Sequence, residues 1–165
     1  ARTECAASFQ TLGKELYQKK QYAEAVAAYE KGLRGLHGED PVLLLGIMQA
    51  EAAQKRWDQA AAAYERLRRN NPEWRPDGKA CLLHAAVLRK LDRLEEAILV
   101  LEDCLPRYAG EEARCRYGVL LKEAGHAARA REAFEETLRR IATSPPYYQK
   151  RQEPWKIFAA GQLES

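Results

Sequence analysis

Four times along this chain an apolar residue is followed three positions later by alanine and four positions after that by a larger side chain, a spacing that a helix gathers onto one stripe. The segments begin at Tyr22, Trp57, Leu94 and Ala127, and their alanines, Ala25, Ala60, Ala97 and Ala130, recur at intervals of 35, 37 and 33 residues. A small residue inside such a stripe marks a close approach by another helix. Upstream of each segment the periodicity predicts a first helix, over roughly 6–19, 41–54, 78–90 and 111–124, each with its own apolar stripe. In the first of these, Phe9, Leu12, Gly13, Leu16 and Tyr17 keep helical spacing, and Gly13 lets a partner helix come near. The chain therefore reads as four helical hairpins, about 6–39, 41–72, 78–106 and 111–142.

Breakers fall between these units. Gly38, Asp40 and Pro41, then Asn70, Asn71, Pro72, Pro76 and Gly78, then Pro106 and Gly110, separate the hairpins, whereas the turns within hairpins are short and favour antiparallel neighbours. The composition, rich in Ala, Leu, Glu, Arg and Lys, suits helices because these side chains lose little rotamer freedom there. The 37-residue interval between Ala60 and Ala97 predicts a longer connection over 70–78. Beyond the fourth hairpin, residues 145–165 read as a terminal helix and tail, broken at Pro154, with Trp155, Phe158 and Tyr148 as anchors; a short recognition motif is the competing reading of those aromatics.

Little chemistry is encoded. The three histidines form no metal or triad spacing: His84 lies in an apolar stripe as a packing residue, and His37 and His126 lie in turns. No phosphate-cradling glycine loop or nucleophile elbow occurs, so no enzyme activity, cofactor, metal or small-molecule substrate is expected. Cys5, Cys81, Cys104 and Cys115 lack zinc spacing and read as buried free thiols, a Cys81–Cys104 bridge across one hairpin being the alternative. The net charge of +3 is small and mixed with 24 acidic residues, which gives a nucleic-acid role no support. The basic runs Arg66–Arg69 and Arg139–Arg140 end second helices, where cations oppose the helix dipole. No stretch approaches the length of a membrane span, and the start lacks the order of a signal peptide. The first residue, Ala1, is not methionine, which fits a fragment or mature form; the compartment, cytoplasmic or periplasmic, is left open.

These residues resemble the tetratricopeptide-repeat (TPR) family over about 6–142, best in the first hairpin, where Phe9, Leu12, Gly13, Tyr22, Ala25, Tyr29 and Leu33 fill the family's aromatic, Leu-Gly, Tyr, Ala, aromatic and Leu places. Met48, Leu101 and Ala127 depart from the pattern. The resemblance implies an all-α fold, an α-solenoid of hairpins wound as a right-handed superhelix, closed by a C-terminal capping helix. It also implies a ligand-binding concave face lined by first helices: Gln10, Lys14 and Tyr17; Leu45, Gln49 and Ala52; Lys79, Leu82, Ala86 and Arg89; Cys115, Val119 and Lys122. Such a face suits a protein or peptide segment with apolar anchors and some acidic character, as expected of a scaffold or adaptor. The carboxylate clamp of chaperone-binding members needs Lys, Asn, Asn, Lys and Arg, but its places hold Gln10, Lys14, Gly46, Lys79 and Leu83, or, one hairpin on, Leu45, Gln49, Leu83, Glu112 and Arg116. Chaperone tails are thus not expected as ligands. The Ala- and Arg-rich repeats have a bacterial character that fits an envelope assembly. A self-assembling homo-oligomeric module, and behind it an RNA-binding array, are the rival functions.

Overall fold

The computed structural model describes residues 2–34 and 38–165, with side chains from residue 7 onward; Cys5 and His37 lie outside the described side chains. Ten α-helices, one 3-10 turn and no strand occur among the described residues. The chain divides into two compact units, 1–75 and 76–165.

The first unit holds α1 (Arg2–Gln18), α2 (Tyr22–Leu33), α3 (Pro41–Ala53) and α4 (Trp57–Asn70). Its centre is Tyr29, 3% exposed, whose ring lies between two helices that both present glycine. A Cβ on Gly13 would stand 2.3 Å from the ring, and one on Gly46 would stand 2.6 Å from it. Gly46, rather than position 48, is thus the site of close approach in the second hairpin, and Met48 is fully buried. Asp40 starts α3: its Oδ1 accepts from the Val42 and Leu43 amides at 2.8 and 3.3 Å, with Pro41 in the first turn. The approach to α3 is fastened to α4 by Arg66, which donates from Nε and Nη2 to the Glu39 carboxylate at 3.0 Å each. Asn71 donates to the Glu39 carbonyl at 2.7 Å, and Trp74 packs edge-on against Tyr64.

The second unit holds α5 (Gly78–Lys90), α6 (Leu94–Cys104), a 3-10 turn (Leu105–Arg107), α7 (Glu112–Glu123), α8 (Ala127–Ala142), α9 (Pro146–Arg151) and α10 (Glu153–Glu164). Its core runs from Leu88, Ile98 and Leu101 through Leu121 and Phe134 to Ala159 of α10. Gly118 repeats the close approach of Gly13, since a Cβ there would lie 2.7 Å from the Phe134 ring. Asp77 caps α5 through the Ala80 amide at 2.8 Å. The terminal segment is not one helix broken at Pro154 but two that meet at Gln152; Pro154 sits in the first turn of α10, where its missing amide hydrogen costs nothing.

One turn recurs in all four hairpins. Lys20, Lys55, Asp92 and Gly125 each adopt the left-handed region, with φ of 62°, 61°, 59° and 87°. In each case that residue's amide donates three residues back and the next amide five back, as from Lys20 to Tyr17 and from Gln21 to Leu16, both at 2.9 Å. This Schellman closure satisfies the last carbonyls of every first helix and reverses the chain in three residues.

Candidate functional site

The second unit encloses a cavity of about 580 Å³ between α5, α7 and α10, within the range of ligand sites. Leu82 and Ala86 of α5, Val119 of α7, and Trp155 and Phe158 of α10 form much of its apolar wall. The aromatic side is a chain of edge contacts: Phe134 to Phe158 at 6.3 Å between centroids, then Phe158 to Trp155 at 5.9 Å. Helix α10 packs against α8 and α7 as a following first helix would, as α3 packs against α2 and α1. Its entry is fixed at Gln152, whose Oε1 accepts from the Glu111 amide at 2.9 Å beside Gly110, a residue with φ of +108°. Glu111 is 1% exposed and accepts from Arg140 Nε at 2.8 Å.

Three cations lie on the cavity's edge, each differently employed. Arg89 donates from both Nε and Nη2 to the two oxygens of Glu123. Arg116 is held by Glu112, at 3.0 Å from Nε and 2.9 Å from Nη2, and its guanidinium lies 5.9 Å from the Trp155 ring centroid. Lys122 donates to neutral oxygens of the C-terminal helix region, Gln162 Oε1 at 3.4 Å and Ser165 Oγ at 3.2 Å.

Of the thirteen residues expected to meet a ligand, Leu82, Ala86, Arg89, Val119 and Lys122 line this cavity together. Lys79 is exposed on α5 but is not part of the lining. Gln10, Lys14, Tyr17, Leu45 and Gln49, with Ala52, belong to the first unit. There Lys14 and Gln49 are exposed and Gln10, Tyr17 and Leu45 half-buried, with Tyr17 edge-on to Tyr22 at 5.1 Å. A smaller cavity of that unit, about 300 Å³ around Lys20 and Gln54, is lined by none of these.

Two expected groove residues are buried instead. Cys115 is 0% exposed because α10 covers it: Sγ lies 3.8 Å from the Trp155 carbonyl and 4.0 Å from Thr137 Oγ1. Ala52, at 8%, packs into the first unit's core. Burial pushes the Cys115 thiol up to about 11. Cys81 and Cys104 are also buried free thiols, and the Cys81 thiol is pushed up by burial and by a hydrogen bond to Cys104. His84 is half-buried; His126, rather than fully exposed, is half-buried with Nε2 2.8 Å from Glu95 Oε1. Sequence reasoning missed Arg116, Glu123 and Gln162 as parts of the cavity, and read Trp155 and Phe158 as cap anchors without their second role as its wall.

The first hairpin and most of the second match family models described as tetratricopeptide repeat, over residues 6–34 and 43–73. These two stretches are tetratricopeptide repeats. Solved TPR structures extend the likeness across the remaining hairpins. YrrB, described as a TPR protein with an unusual peptide-binding site, superposes with a TM-score of 0.73 at 20% identity, over 83% of this chain and 69% of YrrB. A MamA crystal structure matches at 0.72 and 16% identity over 98% of this chain and 93% of that one. Kinesin-light-chain TPR-like repeats from Podosopora anserina match at 0.72 and 17% over 99% and 90%. At these identities the likeness establishes the fold. No curated protein matches the sequence.

Proposed function

We propose that this TPR protein is a non-catalytic scaffold that holds a peptide segment of another protein, and that the cavity of the second unit receives the segment's main anchor. The observation that supports this reading is the convergence of Leu82, Arg89, Val119 and Lys122 on one apolar space closed by Trp155 and Phe158. Its size suits one or two large side chains, and fixed aromatic walls accept an anchor with little loss of rotamer freedom. The description of YrrB as a peptide-binding protein of the same fold adds to this reading. Gln10, Lys14, Tyr17, Leu45 and Gln49 of the first unit, and Lys79 of the second, are proposed as ligand contacts, each within its own unit. The clamp for chaperone tails is disfavoured again by Gly46, which is buried against Tyr29.

The test is selection from a random peptide library displayed on phage, followed by fluorescence anisotropy with the selected peptides. Val119→Trp, which fills the cavity, should weaken binding by about tenfold or more while helicity is kept. Equal binding by the two proteins would place the site elsewhere. Self-association is the second reading, favoured by Tyr147 and Ile157 of the terminal helices, 69% and 65% exposed. A sedimentation mass that rises with concentration would support it. The RNA reading loses its basic runs to internal contacts: Arg66 to Glu39, Arg68 to the Trp74 carbonyl, Arg139 to Glu136 and Arg140 to Glu111.

A further inference from the structure

We infer that the cavity selects a peptide in which a bulky apolar side chain is accompanied by an Asp or Glu side chain, and that Lys122 is the residue that reads the acid. The inference rests on the peptide-scaffold reading above and specifies its ligand.

Two of the three cations at the cavity are already balanced by carboxylates of the chain itself. Arg89 and Arg116 face the cavity, but each is charge-compensated, Arg89 through Nε and Nη2 by the two oxygens of Glu123 and Arg116 through the same two nitrogens by Glu112 Oε1, and Arg116 also lies over Trp155. A ligand acid at either would compete for a cation whose charge is already balanced by an internal carboxylate. Lys122 has the opposite status. Its ammonium carries three donors, and its two hydrogen bonds are long and run to an amide oxygen and a hydroxyl, neither of which offsets a positive charge. It stands beside an apolar wall, where water is partly displaced once an anchor is seated and a charge interacts more strongly than in bulk solvent. A carboxylate completes that arrangement. A cation there is repelled, and a neutral side chain leaves the ammonium as it was.

The carboxylate is assigned to a side chain within the segment rather than to a chain end. Recognition of a terminal carboxylate draws on forked guanidinium donors or a nest of backbone amides. Here each guanidinium already turns its Nε/Nη2 edge to an internal carboxylate, and the cavity is bounded by the flanks of α5, α7 and α10, whose mid-helix amides are committed to their own helices. A lone ammonium on a flexible stem acts as a point charge and accepts an acid over a range of positions. The preference is therefore for the presence of an acid near the anchor rather than for one rigid spacing.

The peptides selected on the unmodified protein serve as probes, each made with an amidated C-terminus in three forms: the selected Glu or Asp, its Gln or Asn counterpart, and Lys. The expected result is enrichment of acidic residues beside an aromatic or large aliphatic anchor, and affinity about fivefold lower for the neutral form. Lys122→Gln should abolish the difference between acidic and neutral forms, and Lys122→Glu should reverse the preference toward the Lys form, with helical circular dichroism unchanged because Lys122 is exposed. Apolar peptides selected without acidic enrichment, or an acid preference that survives Lys122→Gln, would overturn the inference and leave the scaffold reading standing. Loss of affinity on amidation would reassign the carboxylate to a chain end and likewise overturn it. Failure to select any peptide that Val119→Trp weakens would overturn both.

Discussion

At Lys20 and Lys55 the chain asks a side chain with a Cβ to adopt the left-handed backbone region, which costs a non-glycine residue about 1–2 kcal/mol. Lys20→Gly and Lys55→Gly are therefore expected to raise stability by about 0.5–1 kcal/mol after glycine's larger entropy loss on folding, and Gly125→Ala to lower it by about 1 kcal/mol, read from urea midpoints. None of this was legible beforehand, because lysine carries no turn signal; the hydrogen-bond pattern and the fourfold recurrence identify it. Gly13→Ala and Gly46→Ala should each cost about 1–3 kcal/mol by forcing the Tyr29 ring aside. Gly13 was foreseeable from its place beside Leu12 in the repeat, whereas Gly46 fell two residues from the position that the alanine spacing marks. Cys115 gives a pH dependence of known sign. Its thiol titrates near 9 when free of the fold and at about 11 within it, chiefly through burial. As pH rises past 9 the unfolded chain loses this proton first, so stability that is intact below pH 9 declines toward pH 11. Alkylation at pH 8 should be slow on the native protein and fast in urea, and the urea midpoint should fall between pH 8 and about pH 10.

Helices were the most readable level. Apolar stripes at helical spacing, Asp40 and Pro41 before one helix, Pro76 and Gly78 before another, and the break at Pro106 and Gly110 placed the four first helices within a few residues of their observed ends. The terminal segment was less readable because Pro154 was read as a breaker, whereas in a first turn it is tolerated; the real break is made by Gln152, whose side chain is drawn to the Glu111 amide by tertiary contact. That latch makes a prediction about an element. Arg140→Ala removes the cation held against Glu111, a carboxylate 1% exposed, and should destabilise the protein by about 2–3 kcal/mol. Trp155→Ala should loosen α10 alone, so Cys115 labelling is expected to accelerate while amide exchange in α1 and α2 is unchanged. Acceleration in both regions would show that α10 is not an independently opening element.

On the scale of the chain, the architecture followed from a period in the sequence, but the site did not. Periodicity reports which residues face away from the neighbouring helix; it does not report what arrives later to cover them. Cys115 and Val119 lie four residues apart on α7, yet the first is sealed by Trp155 and the second left in the cavity wall, a distinction made by α10 alone. Because α10 stands against α7 and α8 where the first helix of another hairpin would stand, the cavity owes one wall to the helix that directly follows the fourth hairpin's short connection. Insertion of one more hairpin between α8 and α9 would carry Trp155 and Phe158 away from Leu82 and Val119 and set them before different neighbours. The point at which the hairpins give way to α9 and α10 thus decides which aromatic side chains face Leu82 and Val119, and lengthening the array would remake that wall in the same step.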